Sequence, residues 1–221
     1  MAERVIEINL NLGLCNRLRV LCSYYQEAKK QNKELRVQWE RDKNCPGHFL
    51  DYFKPIEGVS FGKVDKKASK GKWHPDFNPY EGHDIYKDVL IPSDPIQSEV
   101  NHLARIMRND YTAIHVRRTD HILNRNGKNV FKPDSEFFKF LDKTDNRIYL
   151  ATDNFNTQKV FYEKYAKRIT FIKFIIKEGF RHTPLDDAVI DLYLCINAKT
   201  FDGTPWSSFT GLIKHIRRSV Q

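Results

Sequence analysis

Long apolar runs are absent from this sequence and cysteines are few, and both absences restrict the class of protein. No window approaches the ~18 consecutive apolar residues of a membrane-spanning helix, and the opening segment MAERVIEINL carries acidic residues within its short apolar stretch. We therefore expect no signal peptide and no transmembrane segment. Four cysteines (Cys15, Cys22, Cys45 and Cys195) form no CxxC pair and have no histidine at zinc spacing. We interpret them as reduced thiols in a cytoplasmic protein.

Two motifs of nucleotide and metal chemistry are also missing. The first predicted turn contains Gly13 and Cys15 in a Gly-x-Cys order, which is not the glycine fingerprint of dinucleotide-binding folds. No Asp-x-Asp pair or carboxylate cluster suits Mg²⁺ or Mn²⁺, so we expect no metal and no resident cofactor. The chain is instead basic, with a net charge of +9. That charge suits an anionic partner without identifying it.

The apolar pattern predicts an α/β protein. Near the N-terminus it predicts a strand at 4–10, a turn at 11–17, a helix reaching residue 28 and a second strand at 34–39. From residue 112 onward strand and helix alternate four times, which predicts a parallel sheet with helices on both faces. The later segments are strands at 112–116, 147–152, 169–174 and 199–202, and helices at 134–141, 155–167, 184–196 and 209–218.

The middle of the chain separates these two regions. Pro, Gly, Asn and Lys are frequent between residues 40 and 94, and interleaved aromatics indicate a packed irregular region. The basic run at 63–72 is either a solvated loop or a polyanion site. A helix beginning near Asp94 is a candidate link. We predict an N-terminal α/β lobe at 1–94, a linker helix at 95–110 and a more regular, Rossmann-like lobe at 111–221.

Polar and basic side chains follow the predicted strands at the points where the strands end. Because parallel strands share one carboxyl edge, these residues should converge there. Arginines, hydroxyls and helix N-termini are groups that bind a diphosphate. In chain order the residues are Asn16, Arg17, His115, Arg117, Arg118, Asp153, Ser207 and Ser208.

Each of these features also has a simpler interpretation. Adjacent arginines can be surface charge or can pair with a neighbouring aspartate, a serine-rich turn can cap a helix, and an aspartate can cap a helix or lie on its solvated edge. The first alternative applies to Arg117-Arg118, with Asp120 as the neighbouring aspartate, and the second applies to the turn at 204–208. Asp153 is the aspartate that can cap a helix, and Asp191 is the one that can lie on a solvated helix edge.

Four motifs, taken together and in order, resemble a known superfamily. They are GLCNRLRVL at 13–21, AIHVRRTD at 113–120, YLATDN at 149–154 and DLYLCINAKTFDGTPWSSF at 191–209. They resemble the GDP-fucose-dependent fucosyltransferases, which include core α1,6-fucosyltransferases, rhizobial nodulation fucosyltransferases and protein O-fucosyltransferases. HVRRTD and YLATD are specific, the other two are degenerate, and the α1,6 branch is the most similar.

The resemblance implies a compact GT-B-like fold with two Rossmann-type lobes, and inverting, metal-independent transfer of fucose from GDP-fucose to a carbohydrate acceptor. In that fold the lobe at 1–94 would lie on the acceptor side and the lobe at 111–221 would bind the nucleotide sugar. Matching positions imply several donor contacts. Arg117 and Arg118 would hold the diphosphate, and one of them would stabilise charge as GDP leaves. Ser207 and Ser208 would form hydrogen bonds with the phosphate oxygens. His115 would lie against the nucleoside. Asp191 would accept a hydrogen bond from the guanine edge. Asn16 and Arg17 would reach the sugar-phosphate, and Asp153 would support the site.

One expected acid is missing after the arginines. In the α1,6 branch a glutamate just after HVRRTD is the expected base for the acceptor hydroxyl, whereas residues 121–128 here read HILNRNGK. Asp120 and His121 are the candidate bases. His121 can equally be an ordinary loop histidine, and departure of GDP assisted by arginine can suffice.

A second class of function stays open from the sequence. The +9 charge, the lysines at 63–72 and the missing glutamate would also suit a non-catalytic module that binds nucleotides or polyanions. Nucleic acid is not the expected partner. The acceptor, the linkage and the oligomeric state do not follow from these residues.

Overall fold

The computed structural model contains two parallel β-sheets flanked by helices, which confirms the predicted α/β class. It describes residues 4–65, 69–70, 72, 74–75, 84–119, 131–173 and 183–218. By its contacts the chain divides into two units, Met1–Ser93 with Arg218–Gln221, and Asp94–Arg217. Among the described residues no helix combines the length and the apolar character needed to cross a membrane.

The first unit holds a four-stranded parallel sheet in the order β3-β2-β1-β4. The described residues of the region at 40–94, predicted to be irregular, in fact form two strands and two helices. These elements are too short to show an apolar period. The elements are β1 (Val5–Leu10), α1 (Leu14–Lys30), β2 (Glu34–Trp39), α2 (Phe49–Tyr52), β3 (Val59–Phe61), β4 (Ser69–Lys70) and α3 (Asp84–Val89).

The second unit holds the other parallel sheet, in the order β7-β6-β5-β8. Strand β7 ends at Thr170, earlier than the predicted 169–174, and residue 174 lies outside the described part of the chain. The elements are α4 (Asp94–Ile106), β5 (Tyr111–Val116), α5 (Asp134–Leu141), β6 (Arg147–Thr152), α6 (Phe155–Tyr165), a one-turn 3-10 helix (Ala166–Arg168), β7 (Ile169–Thr170), α7 (Leu185–Asn197), β8 (Thr200–Gly203) and α8 (Ser208–Arg218).

Helix α4, interpreted from the sequence as a linker, belongs to the second unit. It packs against α7, which also contacts β5 and β6. The apolar positions of α4 that are buried are Ile96, Val100 and Leu103, spaced three and four residues apart on one face. The assignment of acceptor and donor sides to the two lobes stays a prediction.

Strand β5 lies at the point where the strand order reverses. Strands β6 and β7 follow it on one side and β8 lies on the other. In open α/β sheets, ligands bind outside the carboxyl ends of the strands at this switch point. The fold therefore directs attention to the residues that follow β5 and β8.

Alternation along β5 assigns its side chains to two different layers. Ile114 and Val116 belong to a buried apolar cluster with Phe137 of α5 and Phe161 of α6. The hydroxyl of Tyr111, which lies on the opposite face, donates to the backbone oxygen of Leu194 in α7 at 2.9 Å. Since side chains alternate with a period of two, consecutive residues at the end of this strand leave it toward opposite faces.

Gly203 at the end of β8 allows α8 to approach the sheet closely. A Cβ atom at this position would lie 2.6 Å from Oγ1 and 2.7 Å from Cγ2 of Thr210, which is buried. We expect Gly203→Ala to lower the free energy of unfolding by about 1–3 kcal/mol because α8 must shift. Urea unfolding measures the change. Gly62→Ala, where a Cβ meets nothing within 4 Å, is the control and should change stability by less than about 0.5 kcal/mol. Equal effects would contradict the packing argument.

Candidate active site

Asp153 organises the polar groups that follow β5. Its Oδ1 accepts a hydrogen bond from the backbone N–H of Arg118 at 2.9 Å, and its Oδ2 accepts one from the Thr119 hydroxyl at 2.6 Å. The same Oδ2 lies 3.2 Å from Nε of Arg117. Helix α6 is capped by Asn154, whose side chain accepts from the backbone N–H of Thr157. Asp153 therefore holds the segment at 117–119 in place and does not cap the helix.

Arg118 is nearly buried and leaves the strand toward α5. Its Nη2 donates to Oδ1 of Asp134, the first residue of that helix. Its guanidinium carbon lies 5.0 Å from the ring centre of Phe131 and 6.0 Å from that of Phe137. These distances are in the range of cation–π attraction. A carboxylate and two rings thus fix the orientation of this cation.

Arg117 and Arg118 each have a carboxylate partner of their own. Arg117 pairs with Asp153 and Arg118 pairs with Asp134. The sequence allowed these arginines to be ion-pair partners of an aspartate, and in the structure both are. The partners are Asp153 and Asp134, whereas Asp120 lies outside the described residues. A guanidinium carries five N–H donors, more than one carboxylate oxygen uses. The two arginines can accordingly bind an anion while keeping a structural partner.

Thr204 connects the ends of β5 and β8. Its Oγ1 accepts a hydrogen bond from the backbone N–H of Arg117 at 2.9 Å, and its own N–H donates to the backbone oxygen of His115 at 2.9 Å. The ring of His115 is buried, with Nδ1 2.8 Å from Oγ1 of Thr210 and the ring 4.6 Å from that of Phe209. His115, which we expected beside a nucleoside, is therefore held by α8.

Ser207 and Ser208 lie at the start of α8. Oγ of Ser207 accepts from the backbone N–H of Thr210 at 3.5 Å, a long bond in the position of a helix cap. Ser208 is half-buried in the first turn. Trp206, just before them, is exposed and has a φ of 60°, in the left-handed region. The turn thus caps a helix, and it also presents the helix N-terminus at the carboxyl edge, where anions bind.

Asp191 is not brought to the arginines. Its Oδ1 accepts a hydrogen bond from the Tyr149 hydroxyl at 2.5 Å. Tyr149 lies four residues before Asp153, roughly 13 Å down the strand from the carboxyl edge. Burial raises the pKa of Asp191 to about 7, against the opposing effect of the Tyr149 hydrogen bond and with a further rise from Asp187. At the start of α7, Asp187 pairs with Lys173 at 2.6 Å.

Arg17 in the first unit is fully buried, with 0% of its side chain exposed. Its guanidinium donates to the backbone oxygens of Leu12 and Glu40 and pairs with Asp42 at 3.1 Å. A side chain buried in this way joins the turn after β1 to the segment after β2, and it is not accessible to a ligand. The expected donor contact of Arg17 therefore conflicts with its burial, whereas Asn16 is half-buried in the first turn of α1.

Two of the expected site residues, Asp120 and His121, lie outside the described part of the chain. Within that part, no group of three or more His, Cys, Asp or Glu residues converges in a way that could hold a metal ion. Sequence reasoning missed three charged residues near Arg118, namely Lys132, Asp134 and Asp202. Asp202 shares its sheet face with Ile114, its partner on β5, so the alternation of β8 was the signal that could have found it.

Comparison with solved structures finds fucosyltransferases. Fucosyltransferase NodZ from Bradyrhizobium superposes with a TM-score of 0.67 and 14% identity, over 97% of this chain and 93% of that chain. NodZ α1,6-fucosyltransferase soaked with GDP-fucose gives 0.65 and 14% over 97% and 92%. POFUT1 in complex with GDP gives 0.60 and 11% over 98% and 96%. At such identities the likeness establishes the fold.

The comparisons of sequence find no relatives. No protein-family model matches this chain, and no curated protein matches it. The resemblance to GDP-fucose-dependent fucosyltransferases that was stated from the motifs is thus confirmed at the level of the fold.

Arg17→Met tests whether this arginine is structural. Removing the guanidinium leaves buried carbonyl groups without their donor, so we expect the free energy of unfolding to fall by about 3 kcal/mol. Urea unfolding followed by circular dichroism measures the loss. Arg36→Met is the control because Arg36 forms an exposed pair with Glu7 and should cost less than about 1 kcal/mol. A stable Arg17→Met variant would show that Arg17 is not structural.

Asp191→Asn tests the buried carboxylate. The pKa of Asp191 is raised from 3.8 to about 7 in the folded chain. Between these values the folded chain keeps a proton that the unfolded chain has lost, so stability falls as the pH rises. Between about pH 5 and about pH 7.5, the free energy of unfolding should fall by roughly 1–3 kcal/mol less in the variant than in the unchanged protein.

Urea unfolding at both pH values measures that slope. Asp186→Asn, an exposed change on the same helix, is the control and should leave the slope as in the unchanged protein. A slope that persists in Asp191→Asn would contradict the assignment of the raised pKa to this residue.

Proposed function

We propose that this protein is a glycosyltransferase that transfers fucose from GDP-fucose to a carbohydrate hydroxyl group. One observation carries the proposal. Arg117 and Arg118 follow the central strand at the switch point and are oriented there by Asp153 and Asp134. Two guanidinium groups at such a position suit a diphosphate. The similarity of the fold to fucosyltransferases solved with GDP or GDP-fucose supports GDP-fucose as the donor.

Charge on the leaving group is the main demand of this reaction. When the bond between the anomeric carbon and the phosphate oxygen breaks, GDP gains a negative charge and the sugar passes through an oxocarbenium-like state. In the proposed mechanism the guanidinium of Arg117 or Arg118 meets that charge, in the role that a divalent cation plays in metal-dependent transferases. The proposed transfer is therefore metal-independent.

The acceptor hydroxyl attacks the anomeric carbon from the face opposite GDP, so the proposed reaction inverts the configuration at that carbon. Its proton passes to a base, for which Asp120 and His121 stay the candidates. A general base contributes about 10²–10⁴ in rate. Substitution of each residue in turn would assign the role. The two-lobed GT-B arrangement, in which the donor binds to the second unit, is part of the same proposal.

Arg118→Ala tests the proposal directly. The variant loses a charge-assisted contact of about 1.5–3 kcal/mol with the diphosphate, so GDP-fucose turnover should fall by at least about 10- to 100-fold. Asp134, the partner left behind, is one-third exposed and can be hydrated, so the fold should persist. The assay is release of GDP from GDP-fucose, with and without a panel of glycan acceptors. Arg105→Ala, on the exposed face of α4, is the control.

A thermal-shift series separates this function from simple binding of polyanions. GDP and GDP-fucose should stabilise the protein more than ADP or UDP, by RT ln(1 + [L]/Kd). A response to heparin or DNA that disappears in salt, without selectivity for GDP, would replace the proposal with polyanion binding. Wild-type turnover in Arg118→Ala would show that the site is elsewhere.

A further inference from the structure

Lys132 is a third cation at the carboxyl edge of the second sheet. It lies two residues before α5, and its Nζ donates to Oδ2 of Asp202 near the end of β8. Nζ also lies 4.5 Å from the ring centre of Phe137. The side chains of Lys132 and Asp202 are only 15% and 20% exposed. No motif of the sequence assigns a role to this pair.

Lys132 and Arg118 both contact the ring of Phe137. The guanidinium carbon of Arg118 is 6.0 Å from the ring centre of Phe137 and Nζ of Lys132 is 4.5 Å from it. The two cations are therefore separated by no more than the sum of those distances. Within that limit, a single diphosphate can place one oxygen against each cation.

In the part of the chain that the structure describes, the three cations named at this edge are each paired with a carboxylate. Arg117, Arg118 and Lys132 pair with three carboxylates, namely Asp153, Asp134 and Asp202. A donor diphosphate adds two negative charges, and a cation released from its carboxylate would offset part of them. Which of the three pairs opens most readily depends on how each member is held.

In the Lys132–Asp202 pair the cation can leave its carboxylate while the carboxylate stays in place. Asp153 is anchored by hydrogen bonds from Arg118 and Thr119 as well as by its ion pair. Asp202 is anchored through Oδ1, which accepts from the backbone N–H of Gly203 at 2.8 Å. Lys132 instead has a flexible four-carbon stem and three donors that rotate together. Its ammonium group can therefore turn from a fixed carboxylate to a phosphate oxygen.

We propose that Lys132 is a third cationic contact to the diphosphate of the donor, and that Asp202 holds it in the unliganded protein as a competitor of the phosphate. This inference rests on the proposed function, because it takes a nucleoside diphosphate as the ligand. Affinity for the donor is then set partly by the strength of the Lys132–Asp202 pair. A purely structural ion pair would affect stability and leave nucleotide affinity unchanged.

Calorimetric titration of GDP into the whole chain tests the contact. Lys132→Met keeps the apolar stem over Phe137 and removes the charge, so GDP should bind about 10- to 100-fold more weakly. Lys132→Arg keeps the charge and should bind GDP within a few-fold of the unchanged protein. Lys139→Met, on the exposed face of α5, is the matched control. Equal GDP affinity in Lys132→Met and Lys139→Met would overturn the inference.

Asp202→Asn tests the competition. The amide keeps an oxygen for the Gly203 N–H and removes the charge that holds Lys132, so GDP affinity should rise by about 3- to 10-fold. In the double variant Lys132→Met/Asp202→Asn this gain should disappear. An Asp202→Asn variant whose affinity falls or stays the same would overturn the competition. An unchanged protein that binds no GDP would instead overturn the proposed function, so the two failures are distinct.

Discussion

Two positive charges on consecutive residues are held at the end of one strand, and the second unit depends on how their repulsion is offset. Asp153 offsets much of this repulsion, because it binds the backbone N–H of Arg118, the hydroxyl of Thr119 and the guanidinium of Arg117. Alternation along β5 does the rest by sending Arg118 toward Asp134 on the opposite face. The arginines are thereby oriented by the protein's own carboxylates, as the proposed stabilisation of a leaving group requires.

The same arrangement explains how a basic protein can hold a charge-balanced site. Among the described residues, Arg117, Arg118 and Lys132 at the carboxyl edge each have a carboxylate partner. The carboxylates differ in the hydrogen bonds that hold them, and in the proposed donor site this difference decides which cation a phosphate binds. The aromatic rings of Phe131 and Phe137 lie against Arg118 and Lys132. The side chains of these two cations are largely buried, which strengthens their attraction for an anion.

Much of the second unit could be predicted from local pattern. The strands at 112–116 and 147–152 and the helix at 134–141 are long enough to show their period, and the parallel order follows from their alternation. The site was predicted less completely. Asp191 and Arg17 were assigned donor contacts by motif position, and those contacts stay predictions. In the structure Asp191 of α7 bonds to Tyr149 of β6, and the side chain of Arg17 is fully buried. A motif gives the order of residues and does not give the depth at which a helix or turn places them.

The sequence by itself determined the α/β class, the strand that carries the adjacent arginines and their position at its carboxyl end, because these follow from periodicity over a few residues. Only the tertiary structure decided which carboxylates they meet. Asp134 and Asp202 are distant in sequence from their cations and reach them through the packing of α5 and the pairing of β8 with β5. Long-range pairs of this kind depend on strand order and helix placement, which no local pattern contains.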